Sequence, residues 1–263
     1  MEIRMAKAQD VPGIIKLLQQ VGRVHHEGRP DLFRSNAQKY GPSQVLEMLD
    51  KSRNQFVSNA SHELKTPLTV ILTNAELLQD DPDPRYARSI LAMSRRMREL
   101  VESLLALARV DNGAVRATFQ DTDLSELVSD ELLPFEPLFF ERGQTLDSRI
   151  DGALRISGSP RHLRQVLTIL LDNAMKHGGE GEKIDVALKE DNGRVVITVR
   201  DYGPGIPKGE LPHVKEKFYK GSSKARGSGI GLAVCEEIVQ MHDGTLTLEN
   251  AEGGGTLVTV CLP

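Results

Sequence analysis

Tryptophan is absent from these 263 residues, aromatic residues of all kinds make up 4%, and cysteine occurs only at Cys235 and Cys261. Two cysteines among apolar neighbours exclude a disulfide framework and a cysteine-rich metal centre, and they fit a reducing compartment. So few aromatic rings leave little for a platform that stacks nucleobases. No run approaches the roughly 18 apolar residues of a membrane span. The polar opening MEIRMAKAQD lacks the apolar core of a signal peptide. The sequence as written therefore reads as soluble and cytoplasmic. Neither sign of charge dominates: 27% of residues are charged and the formal net charge is -4, which excludes the clustered basic footprint of a nucleic-acid binder. The phosphate-loop pattern GxxxxGK followed by Ser or Thr is also missing.

What is present divides into three blocks. Residues 1–42 open with the strand-like MEIRMA. A helical pattern at Val11, Ile14, Ile15, Leu18 and Val21 follows, then a polar stretch punctuated by Gly28, Pro30, Gly41 and Pro42. This block is too short for a core of its own. Residues 43–112 carry an apolar stripe, Val45, Leu49, Phe56, Ala60, Leu64, Leu68, Ile71, Ala75 and Leu78, at mostly three- and four-residue steps. DDPDPR breaks the stripe, which resumes at Ile90, Met93, Met97, Leu100, Leu104 and Leu107. Two such helices pack as an antiparallel hairpin, and two hairpins complete a four-helix bundle. Residues 121–263 mix helices and strands. Asp123 and Glu126 start a helix, strands are expected at 145–150, 153–157, 183–188, 194–201, 245–249 and 256–262, and helices at 160–177 and 230–241. The fold class is α+β, a helical hairpin followed by a mixed sheet layered against helices.

Chemistry concentrates in a few strings. His62 lies two residues from both Ala60 and Leu64, so it points away from the stripe, a solvent-facing imidazole on a rigid helix. An ordinary histidine has a neutral, nucleophilic fraction at physiological pH. Glu63 beside it can accept the other ring N–H and take up developing positive charge. Pro67 removes an N–H and crowds the Glu63 carbonyl, which predicts a bend just past His62. Alone, His62 would be a surface histidine. Further on, Asn173, Lys176 and His177 share nearby turns of one helix. A β-branched strand ends at Asp201 and runs into Gly203, Gly205 and Ile206. Finally, a glycine-rich loop leads into a helix at Arg226, Gly227, Ser228, Gly229, Ile230, Gly231 and Leu232, the arrangement that offers backbone N–H groups to phosphate. Lysines 208, 215, 217, 220 and 224 precede it, as in a mobile lid.

The string SHELKTPL (Ser61–Leu68) resembles the H box of sensor histidine kinases. LTILLDNAMKH, DYGPGI, EKFYKG and RGSGIGLAV resemble, in order, the N, G1, F and G2 boxes of the same family. The resemblance spans about Leu46 to the C-terminus. It implies a dimeric phosphotransfer bundle joined to a Bergerat-type α/β ATP-binding sandwich. It also implies ATP and Mg²⁺ as cofactors, a response-regulator receiver domain as partner, and autophosphorylation of His62. Asp201 would accept from the adenine amino group and Asn173 would hold Mg²⁺. Tyr219 and Lys220 would join the glycine loop at the nucleotide, and Thr66 would orient water for dephosphorylating the regulator. Family members are often membrane-anchored through upstream segments. Gly253–Thr256 reads as a hairpin turn, with a further glycine turn of the family's site as the alternative.

Residues 1 to about 49 resemble the start of a GNAT-type N-acetyltransferase, expected here as an inactive fragment. RGSGIG also fits that family's CoA-binding pattern, but the apolar strand that should precede it is replaced by EKFYKGSSKA. A degenerate module that binds nucleotide without transferring phosphate is opposed by intact His62, Asn173 and Asp201.

Overall fold

The computed structural model describes residues 10–17, 20, 41–110, 119–179, 181–221, 227 and 229–263. Residues 11–17 are helical, and Val11 and Ile15 bury against Val45. The expected opening strand, and with it most of residues 1–42, lies outside the described residues.

Helix α1 (Pro42–Asp80) begins where Gln44 reaches back to accept from the Gly41 N–H at 2.8 Å, with proline at the first helical position. It ends at Asp81 in extended backbone. Asp83 then organises the next start: its carboxylate accepts from the Arg85 N–H at 2.8 Å and pairs with the guanidinium at 2.6 Å. Helix α2 (Pro84–Val110) returns antiparallel, giving the expected hairpin. The expected bend at Pro67 does not interrupt α1, which stays helical through that residue to Asp80. The hairpin is thin. Leu68, a member of the apolar stripe, is 47% exposed, and Leu72, one turn on, is 55% exposed.

The second unit holds the main core. A five-stranded sheet has the order β2 (Thr145–Ile150), β4 (Lys183–Asp191), β5 (Arg194–Asp201), β7 (Thr256–Leu262), β6 (Thr245–Asn250). β2 runs parallel to β4 and every other pair is antiparallel. Alternate residues of β4 and β7 are buried, so one face of the sheet receives the helices. Those are α3 (Leu124–Leu132), α5 (Pro160–His177) and α6 (Gly231–Met241). Leu163, Leu167, Leu170 and Leu171 of α5 meet Val234, Ile238 and Val239 of α6 above Ile184, Val186 and Val260. Burial of each such side chain stabilises by about 1.5–3 kcal/mol. Asp123 caps α3 by accepting from the Glu126 N–H at 3.0 Å, as the sequence predicts.

Two short strands, β1 (Gln120–Asp123) and β3 (Arg155–Gly158), pair on the side, and α4 (Glu136–Glu141) precedes β2. Neither β1 nor α4 was expected. His242 ties the helices together. Its Nε2 accepts from the Ser159 N–H at 3.0 Å, its Nδ1 donates to the Ile238 carbonyl at 2.8 Å, and Phe119 stacks on the ring. The start of α5 is thereby fixed to the end of α6. Among the described residues, no helix is long and apolar enough to cross a membrane.

Candidate active site

The site is built from the C-terminal edge of β5. Asp201, the last residue of that strand, is 6% exposed. Its Oδ1 accepts from the Gly203 N–H at 3.0 Å and from the Thr256 N–H at 3.1 Å. One carboxylate oxygen is thus fixed by two backbone donors, and Oδ2 is left as the acceptor for an incoming group. Glycine is required around it. A Cβ at Gly255 would lie 1.9 Å from the Asp201 carbonyl oxygen, and one at Gly203 would lie 2.1 Å from that of His177. The β6–β7 loop therefore packs into the site through Gly255 and Thr256. Gly253–Thr256 is the hairpin turn between β6 and β7, and it also lies against Asp201, as the alternative reading has it. GGGT was visible as a signal, but strand pairing alone could not say which side of the sheet end it would face.

Helix α5 supplies the second wall. Asn173 is half-buried, and its amide has no hydrogen-bond partner among the described residues. Lys176 is held by Asp172 at 2.5 Å, four residues earlier, so its charge is balanced within the helix. His177 is exposed at the end of α5. Desolvation of its ring outweighs the nearby Asp201 carboxylate and lowers its pKa below the usual histidine value, which favours the neutral ring. A neutral ring can hydrogen-bond a ligand there.

Between β5 and α6 runs the segment expected as a lid. Ile206 is tied to Asn250 through both backbone groups. Tyr219 lies by His213, with ring centroids 5.7 Å apart. Gly229 has φ +69°, and a Cβ there would come within 2.6 Å of the Tyr219 carbonyl; its own carbonyl accepts from the Phe218 N–H at 2.7 Å. Gly227 is exposed and Gly231 opens α6 against Ile169. The Ile230 side chain is fully buried in the core, so it can face a ligand only through its backbone. Leu232 likewise packs on the core. Arg226 and Ser228 lie outside the described residues. Two of the segment's lysines are paired with carboxylates of α6, Lys215 with Glu236 at 2.9 Å and Lys217 with Glu237 at 3.2 Å.

Lys220 pairs with Glu63 at 2.5 Å, across 157 residues of sequence. Two turns below, Phe218 lies against Phe56, with ring centroids 5.5 Å apart. The EKFYKG segment is thereby seated on α1 beside His62. His62 itself is exposed. The Thr66 hydroxyl, one turn on, donates to the His62 carbonyl at 3.2 Å. Among the described residues no cluster of three or more His, Cys, Asp or Glu side chains could hold a metal.

Residues 52–113 match the family model described as His Kinase A (phospho-acceptor) domain. Residues 158–263 match that of the histidine kinase-, DNA gyrase B- and HSP90-like ATPase. The signal transduction histidine-protein kinase AfsQ2 of Streptomyces coelicolor is 33% identical over 81% of this chain and 42% of its own. The heme sensor protein HssS of Staphylococcus saprophyticus is 30% identical over 94% of this chain and 57% of its own. The chain thus spans about half the length of these relatives. The second match leaves too few residues out to exclude the whole block before Pro42. That segment is aligned at least in part with a sensor protein, and its likeness to an acetyltransferase is unsupported. In fold, histidine kinase ThkA, solved in complex with the response regulator protein TrrA, superposes with a TM-score of 0.68. It is 22% identical, over 82% of this chain and 65% of that one.

Proposed function

Carrying both matched domains in tandem, the chain belongs to the sensor histidine kinases, and from that premise we propose that it uses ATP to phosphorylate its own His62 and passes the phosphoryl group to an aspartate of a response regulator. The observation that carries the reading is the Glu63–Lys220 pair, in which the EKFYKG segment and the residue next to His62 are in contact.

Asp201 Oδ2 accepts from the adenine amino group, a task suited to a carboxylate that cannot donate. The backbone N–H groups of the loop before α6 receive the phosphates. Mg²⁺ fits the site through Asn173, whose half-buried amide has an unclaimed hard oxygen; when bound, the ion neutralises phosphate charge. An ion pair as exposed as Glu63–Lys220 stabilises by only about 0–1 kcal/mol. Phosphate can therefore draw Lys220 away, leaving Glu63 to accept one ring N–H of His62 while the other nitrogen attacks. Positioning and charge neutralisation supply most of the rate, as in other phosphoryl transfers.

The relative solved with a response regulator supports that class of partner. Val57, Leu68, Leu72, Leu91 and Leu105 lie exposed on the hairpin, which supports a homodimer closed as a four-helix bundle. Thr66 is assigned the orientation of water when the regulator is dephosphorylated. The proposed units are residues 43–112 for dimerisation and phosphotransfer and 121–263 for ATP binding. Residues 1–42 have no assigned activity.

Incubation with γ-labelled ATP tests the reading. The expected label is lost in acid and kept in alkali, as for phosphohistidine. An acid-stable label, or none, overturns it.

A further inference from the structure

We propose that Asn250 is a positioning residue for the adenine end of the nucleotide site, acting through the Ile206 peptide. The inference rests on the reading of Asp201 as the adenine acceptor given above, with Ile206 closing the turn that Asp201 begins.

Asn250 is the last residue of β6, outside every motif that marked the site in sequence. Its Oδ1 accepts from the Ile206 N–H at 2.8 Å, and its Nδ2 donates to the Ile206 carbonyl at 2.7 Å. A single side-chain amide thus makes both bonds that a neighbouring strand would make to one residue. The partner lies 44 residues away in sequence. The approach is tight. Gly205 has φ +74°, and a Cβ there would stand 2.8 Å from Asn250 Oδ1 and 3.3 Å from the Gly255 carbonyl.

The turn after β5 is therefore fixed at two points. Gly203 is bonded to Asp201, and Ile206 is bonded to Asn250. Past Ile206 the chain enters the long connection that reaches Lys220 and the glycine loop. With the Asn250 amide gone, Gly203 would still be held, but Ile206 would swing with the connection. The rim of the adenine pocket would then have to be ordered at each binding event, which weakens affinity. The phosphate end, built from the loop before α6, keeps its own anchor, the Phe218 N–H to Gly229 carbonyl bond, which does not involve Asn250.

The test is calorimetric titration of ATP and of ADP into the full chain, with Asn250→Ala and Asn250→Ser. Asn250→Ala is expected to raise both dissociation constants by about tenfold, equivalent to about 1.4 kcal/mol. Asn250→Ser, able to make one of the two bonds, should fall between. The bonds are solvent-exposed, so the unfolding midpoint should hold, and labelling of His62 at saturating ATP should match wild type. Unchanged affinity in Asn250→Ala overturns the proposal, as does a fall in unfolding midpoint and saturated rate together with affinity. A wild-type chain that binds no ATP overturns the adenine-site reading as well. Wild-type binding that Asp201→Asn weakens and Asn250→Ala leaves alone overturns this inference only.

Discussion

Replacing Asp201 by asparagine changes one atom in a setting that dictates how the new side chain must sit. Two backbone donors, from Gly203 and Thr256, converge on Oδ1 at 3.0 and 3.1 Å. An amide nitrogen there would face two N–H groups, so the asparagine carbonyl must take that place. Its NH₂ is then forced into the pocket, where the adenine amino group also donates. The loss is that of a hydrogen bond to a charged acceptor, about 1.5–3 kcal/mol, or a rise in the ATP dissociation constant of about tenfold to 150-fold. Guanine presents a carbonyl where adenine presents its amino group. The preference for ATP over GTP should therefore shrink by a larger factor than ATP affinity falls. Since the two N–H bonds survive, the unfolding midpoint should stay close to wild type. Calorimetry with ATP, ADP and GTP decides the matter. Unchanged ATP affinity would remove Asp201 from the site. Loss of ATP and GTP binding in equal measure would mean that the residue holds the pocket's shape rather than reading the base.

His62→Gln should abolish the acid-labile label while ATP binding, measured by the same titration, remains intact, because the imidazole is exposed on α1 and makes no part of the pocket. Thr66→Ala should leave labelling of His62 unchanged and slow the loss of phosphate from a phosphorylated receiver domain; a parallel drop in labelling would reassign Thr66 to the kinase step. Leu171→Ala, at a fully buried position of α5, should cost about 2–5 kcal/mol in denaturant unfolding of the ATP-binding unit. A loss below about 1 kcal/mol would show that the core there is not closely packed.

The chemistry of the site was more legible in sequence than its assembly. His62, Asp201 and the glycines each sit in a short string whose residue types carry a task, and helix α5 and strand β5 match the expected bounds from hydrophobic pattern alone. Local patterning could not reveal α4, six residues long and apolar on its exposed side too, with Phe140 83% exposed. The parallel pairing of β2 with β4 was also hidden, since period-two alternation says nothing about direction. The glycine-rich pattern does not show that the Ile230 side chain anchors the core while its backbone stays in the loop. Thr256, Asn250 and the Glu63–Lys220 pair depend on chain ends meeting across 55, 44 and 157 residues, and no local pattern reports such meetings.

Phe56 and Glu63 are seven residues apart on α1, two turns along one face, about 10 Å at 1.5 Å per residue. Phe218 and Lys220 engage them as two teeth engage one side of a rack. Such an engagement responds differently to different movements of the helix. A small slide along the axis strains both contacts in the same sense and can be followed by the lid. A turn of α1 about its own axis carries both residues sideways together, so the two contacts are kept or opened as a pair rather than one at a time. The two-point seat therefore ties both rotation and sliding of α1 to the position of the EKFYKG segment.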